Sequence, residues 1–179
     1  MADTIRTQAQ ILTLLADNTT GDISPQDHRD QVVSGAVYGG MGMDADTAPT
    51  QGSIGTSFIK VTIWDIDLPS SGVVADSTTN NDLTIPTNGA GDYNVSLGMT
   101  LSGTSSTTFT FEVFVNAAQT TDKAGFSMKV GTGGDVQTCA RNWILTLADA
   151  DVLTAYVKAD GASKSITVDY GHLIIRRLK

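Results

Sequence analysis

His28 and His172 are the chain's two imidazoles, and Cys139 is its one thiol. A Ser-His-Asp or Cys-His unit needs an imidazole beside its nucleophile. No Gly-x-Ser-x-Gly turn occurs to supply one. His28 falls in a capped helical segment and reads as a polar surface residue. Cys139 shares a strand face with Arg141 and Trp143 and reads as a buried, inert thiol. Zinc needs clusters of Cys and His, which the sequence lacks. Hard cations take carboxylates instead. Residues 17–28 have the length of an EF-hand loop and begin with an acid. They fail where Thr19, Gly21, Asp22 and His28 replace two acids, a glycine and a glutamate. Asp65 and Asp67 share one strand face, and Asp149 and Asp151 flank a turn. Such pairs can hold calcium or serve a glycosidase, but solvated turn acids are the expectation here. Residues 131–135 (Gly-Thr-Gly-Gly-Asp) lack the Lys-Ser/Thr and the following helix of a phosphate loop, and read as a hairpin turn. No catalytic residue, metal site or cofactor is expected, and the chain reads as a non-enzyme.

The elements around these residues are foretold by composition. The 179 residues carry 11 Lys+Arg against 19 Asp+Glu, a formal net charge of −8. That length fits one domain, or one domain with a short appendage. The negative balance and the scattered cations argue against a nucleic-acid partner. Of the acids 18 are Asp, and the single Glu is Glu112. Asp favours turns and caps, whereas Glu favours helices. Thr, Val and Ile number 25, 14 and 12, and branched residues suit half-buried strands. An all-β body with many tight turns follows. One cysteine excludes an intrachain disulfide, no secretory signal is evident, and no run approaches the ~18 apolar residues of a membrane span. A soluble protein made in a reducing cytoplasm, with no membrane partner, is the expectation.

Three regions follow one another. Residues 1–37 read as a helical anchor. Ile5, Gln8, Ile11, Leu12 and Leu15 recur at helical spacing. Ser24 can cap a second helix with Pro25 at its first position and Asp27 in its first turn, and Val32, Val33 and Val37 continue it. Two short helices must dock their apolar residues on something else, and Ile11, Leu12, Leu15, Ile23, Val32 and Val33 are the candidate docking residues. Residues 38–57, rich in Gly, Ala, Thr and Asp, read as a linker. Residues 58–179 read as a β domain of about eight strands. Residues 58–66 form a strand apolar on both faces. Leu83 to Ile85 form a short one. Tyr93, Val95, Leu97, Met99 and Leu101 alternate with polar or small residues, as do Phe109, Phe111, Val113 and Val115. Phe126 to Val130, Trp143 to Leu147, Leu153 to Val157 and Ile166 to Ile175 complete the set. The spacing fits an antiparallel jelly-roll sandwich. The last strand changes phase near Gly171. Leu173 and Ile175 then occupy odd positions while Ile174 keeps the even face apolar. Either a bulge sits at Gly171 or the second face meets a partner.

Tyr93-x-Val95-x-Leu97 after a Gly-Ala-Gly turn, followed by Phe111-x-Val113-x-Val115-Asn116, resembles the central strands of tumour-necrosis-factor and complement-head jelly rolls, a fold that many phage virion proteins share. Residues 170–175 (Tyr-Gly-His-Leu-Ile-Ile) resemble the terminal strand of that superfamily near a three-fold axis. The resemblance covers about residues 80–178 and implies trimers, with Tyr170, His172, Leu173 and Ile175 at the subunit interface. His172 stands where an apolar or small residue is usual. Residues 11–30 resemble a helix-turn-helix segment that precedes fibre, tail or head-surface domains in bacteriophage virion proteins. Together the resemblances imply a virion protein made in the bacterial host cytoplasm, either a head decoration or cement protein or a short head fibre, with the major capsid protein or another virion protein as partner. The alternative is a tail-fibre or glycan-binding tip. Its expected mark, exposed aromatics, is missing from residues 102–107 and 131–138.

Overall fold

A computed structural model describes residues 5–7, 10, 11, 13, 29, 31, 37–43, 46–120, 124–133 and 135–178. Thirteen strands occur among them: β1 (Tyr38–Met43), β2 (Thr50–Ile54), β3 (Ile59–Lys60), β4 (Ile66–Ser71), β5 (Val74–Asp76), β6 (Asp82–Thr84), β7 (Gly91–Gly103), β8 (Thr108–Val115), β9 (Ala118–Gln119), β10 (Gly125–Lys129), β11 (Gln137–Leu147), β12 (Val152–Ala159) and β13 (Lys164–Arg177). They form two antiparallel sheets. The first runs β11-β7-β13-β1-β4, with β2 also paired to β13. The second runs β10-β8-β12-β6-β5, with β3 on β12 and β9 on β8. The result is a mainly β jelly-roll sandwich.

Alternation builds the core. Tyr93, Val95, Leu97, Met99 and Leu101 of β7 point inward, as do Phe109, Phe111 and Val113 of β8, Leu153, Ala155 and Val157 of β12, and Leu173 and Ile175 of β13; all are essentially inaccessible to water. Burying one such side chain stabilises the fold by about 1.5–3 kcal/mol, so the strands that sequence alternation marks out are the ones that hold the two layers together.

The linker expected at residues 38–57 is not one. β1 pairs with the second half of β13, Gly40 opposite Ile174, and β2 pairs with its first half. The glycines of β1 serve close approach rather than flexibility: a Cβ on Gly40 would stand 2.9 Å from the Leu173 carbonyl oxygen. Val37, assigned by sequence to the anchor, lies in the core, and its carbonyl accepts the Arg177 amide. The β body therefore begins at residue 37, not 58.

The single strand expected at 58–66 is also divided. Ile59 and Lys60 pair with β12 in the second sheet, whereas Ile66 pairs with β1 in the first. Residues 61–65 cross between the layers, tied by Val61 N–H to Ala155 O at 2.9 Å and Asp65 N–H to Gly42 O at 3.2 Å. Val61 and Trp64 are buried on the way. Thr62 is exposed, so the crossing runs along the border of the core and sends Val61 and Trp64 into it. Likewise the hairpin expected at residues 131–135 is not formed: β10 lies in the second sheet and β11 in the first, and Gly134 lies outside the described residues.

Of the expected anchor, Gln10, Ile11, Thr13, Arg29 and Gln31 are helical. The first helix opens on a reciprocal cap. Gln10 N–H donates to Thr7 Oγ1 at 3.2 Å, and Thr7 N–H donates to Gln10 Oε1 at 2.9 Å. Ile5, just ahead of it, packs on the sandwich core.

Candidate interaction surface

Three of the four acids singled out for chemistry hold backbone amides. Asp67 Oδ1 accepts Ser77 N–H at 2.7 Å. Asp65 differs: its Oδ2 accepts the Thr47 hydroxyl at 2.5 Å, and its Oδ1 is buried with no hydrogen-bond partner among the described residues. Asp149 accepts two backbone donors, Asn88 N–H at 3.0 Å and Ala90 N–H at 2.7 Å. Asp151 takes Ala148 N–H and the Asn116 side-chain amide, each at 2.7 Å. Asp67, Asp149 and Asp151, so occupied, brace the backbone, as the excess of Asp over Glu implies. Among the described residues no three acids, histidines or cysteines gather as metal ligands, and no helix is long and apolar enough to cross a membrane. Cys139 is half-buried rather than buried, and packs against the core, as Trp143 does farther along β11. His28 and residues 17–28 as a whole lie outside the described residues.

The outward face of the first sheet is the more informative surface. The phase change in β13 lies between Val168 and Tyr170, where the register to β7 shifts by one residue. A bulge is therefore present, two residues before Gly171 in effect. It turns Gly171, Leu173 and Ile175 to the core and sends Tyr170, His172, Ile174 and Arg176 outward. Leu173 and Ile175, expected at a subunit interface, are fully buried in the subunit's own core and cannot reach a partner. Tyr170 and His172 do lie on the open face. Ile174 joins them; its even-numbered apolar position was the signal for it.

Strand register then assembles the face. One row runs Tyr38, Arg176, Asn94, Ile144 and the next Leu68, Gly40, Ile174, Ser96, Asn142. A third runs Ile66, Gly42, His172, Gly98, Ala140 and the last Tyr170, Thr100, Thr138. Gly40, Gly42 and Gly98 make room for the side chains of Leu68, Ile174 and His172, which lie over them. Tyr170 is 60% exposed and Ile144 66%; Tyr38, Ile66 and Ile174 are also exposed. His172 lies across Gly98, where a Cβ would be 2.5 Å from its Cε1. Its Nε2 is 3.1 Å from Ser96 Oγ. Burial in this position pushes the imidazole below its ordinary pKa.

Of the six expected docking residues, Ile11 is helical and half-buried. Leu12, Leu15, Ile23, Val32 and Val33 lie outside the described residues.

No family model and no curated protein matches the sequence. Solved structures do match the fold. Eiger TNF from S. frugiperda is similar at a TM-score of 0.56 and 10% identity, over 80% of this chain and 93% of that one. The globular domain of zebrafish complement 1qA protein matches at 0.53 and 9% identity, over 80% and 98%. The PRD1 vertex protein matches at 0.52 and 9% identity, over 80% and 97%. The chain thus has the jelly-roll fold of tumour-necrosis-factor and complement-head domains, and a phage vertex protein shares it.

Proposed function

We propose that the chain is a structural protein of a bacteriophage particle, a head decoration or cement protein or a short head fibre, which trimerises through the outward face of the first sheet. The observation that supports this reading most is the set of exposed apolar side chains on that face: Tyr38, Ile66, Ile144, Tyr170 and Ile174, with Tyr170 and Ile174 on the central strand β13. Such a surface on an isolated domain marks an interaction site. An open sheet face with its central strand so exposed suits another copy of the same sandwich. The role is mechanical rather than catalytic. Three N-terminal segments joined through one trimeric body would convert weak single contacts with the capsid into tight attachment through effective concentration. The net charge of −8 keeps free subunits apart and soluble and disfavours nucleic acid.

Two measurements test the reading. Sedimentation of the purified protein should give a trimer at micromolar concentration, and Ile174→Asp should shift it to monomer; a wild-type monomer would sink the trimer. Purified protein should also attach at saturating, lattice-like stoichiometry to particles lacking it, and not to host cells. Attachment to cells without capsid affinity would move the protein to the host-recognition apparatus.

A further inference from the structure

The outward face of the second sheet, on the opposite side of the sandwich, carries three aromatic rings in contact. Phe114 of β8 and Tyr156 of β12 stack with centroids 4.1 Å apart and planes 20° apart. Phe58, just before β3, meets Phe114 edge-on at 5.3 Å, and Lys158 Nζ lies 4.5 Å over the Phe58 ring. Polar groups border the rings. Tyr156 has Glu112 opposite it on β8 and Lys60 opposite it on β3. Lys60 Nζ is 3.7 Å from Asp82 Oδ2. Glu112, the chain's one glutamate, is only 7% exposed. One of its oxygens accepts the Gln119 side-chain amide. Its other oxygen and the Tyr156 hydroxyl have no hydrogen-bond partner among the described residues. Room for the carboxylate comes from Gly125 on β10, where a Cβ would stand 2.4 Å from Glu112 Cγ.

We propose that this face is a subsite for a pyranose ring of a glycan. A sugar presents an apolar C–H face and a rim of hydroxyls, and the half-exposed rings of Tyr156 and Phe58 match the first. The free Glu112 oxygen, the Tyr156 hydroxyl and the flanking lysines match the second, as acceptor and donors close to an apolar surface. Three rings are far too small a patch for a protein partner, which needs about 800 Å² per side. The carboxylates of Glu112 and Asp82 oppose a phosphate backbone. The sequence pointed away from glycans because its loops lack aromatics. Here the rings come instead from two strands and a strand entry, more than 40 residues apart along the chain. The face lies away from the proposed trimer contact, so the subsite does not depend on that contact.

Saturation-transfer NMR on the full-length protein tests it, with neutral trisaccharides of glucose, of galactose and of N-acetylglucosamine at millimolar concentration. Transfer to ring protons of at least one is expected. Tyr156→Ala and Phe58→Ala should each weaken it at least tenfold, Glu112→Gln should weaken it less, and Ile174→Asp on the opposite face should leave it unchanged. Phe58 lies outside the strand ladders, so its variant reports even if Tyr156→Ala fails to fold. No transfer from any of the three sugars, or transfer that survives both aromatic substitutions, overturns the subsite. A monomer that still binds sugar would overturn the trimer and leave the subsite standing.

Discussion

At single residues, the surplus of Asp over Glu is explained by backbone donors. Asp149 is the clearest case, because its two oxygens hold the amides of Asn88 and Ala90 in the turn before β7. Arg177 grips the same turn from the other side, through the Ala90 carbonyl at 2.8 Å. Asp149→Ala should lower stability by about 1–2 kcal/mol, the scale of a charged hydrogen bond at an exposed site, and thermal unfolding checks it. His172 gives a prediction in pH. Burial sets its folded-state pKa below the ordinary 6.5, so the unfolded chain takes up the proton first. The stability contributed by neutral His172 is complete above pH 6.5 and is lost as pH falls from there toward the folded-state value. Between pH 7.5 and 5.5 the unfolding temperature should fall more steeply for the wild type than for His172→Gln; parallel slopes would refute the assignment. The capping role of Asp was readable in the sequence, because it depends only on a short side chain near its own backbone. The Thr7-x-x-Gln10 cap was equally local and equally written there, yet it was missed beside the apolar spacing of Ile5, Ile11 and Leu15. The seat of His172 on Gly98 was not readable, since strand register alone brings positions 74 residues apart together.

At the level of elements, strong alternation translated directly into strands: β7, β8 and β12 lie where the period of two placed them. Failures came where a strand's reason for existing was another strand. β1 has the composition of a linker because at Gly39 and Gly40 a Cβ would stand 2.8 Å from Val73 and 2.9 Å from the Leu173 carbonyl oxygen, so only glycine fits there. Gly40→Ala would place a Cβ 2.9 Å from the Leu173 oxygen and 3.0 Å from Ile174 Cγ1. Backbone cannot yield as a side chain can, so a loss of about 1–3 kcal/mol is expected. Gly52→Ala on β2, whose Cβ would meet nothing within 4 Å, is the control and should be tolerated. Equal effects of the two substitutions in denaturant titration would show that β1 is held less tightly than its register implies. The crossing at residues 61–65 failed differently. Its two-faced apolar pattern predicts one strand, but a strand and a segment passing between sheets look alike in one dimension.

For the whole molecule, the two sheets give the subunit two unlike outward faces, one with exposed apolar side chains set among polar ones and one aromatic with polar borders. Both depend on where the β body begins. If residues 38–57 were a connector, a fragment of 56–179 would fold. Instead β1 sits between β13 and β4, and β2 covers the other half of β13. Removing both strips one edge of the longest strand. It also takes Met41, Met43 and Ile54 from the core, all nearly or fully buried. Losing several side chains worth about 1.5–3 kcal/mol each exceeds the roughly 5–15 kcal/mol margin of an ordinary domain once the unpaired edge of β13 is added. A fragment of 37–179 keeps Val37, β1 and β2 and, among the described hydrophobic residues packed on the core, loses Ile5. It should unfold cooperatively a few degrees below the full chain, whereas 56–179 should show no cooperative transition by circular dichroism. If 37–179 also retains sedimentation as a trimer but no longer attaches to particles, assembly belongs to the sandwich and docking to the segment before it. If 56–179 folds, β1 and β2 are additions to a core that does not need them, and the face they complete loses its claim as the contact between subunits.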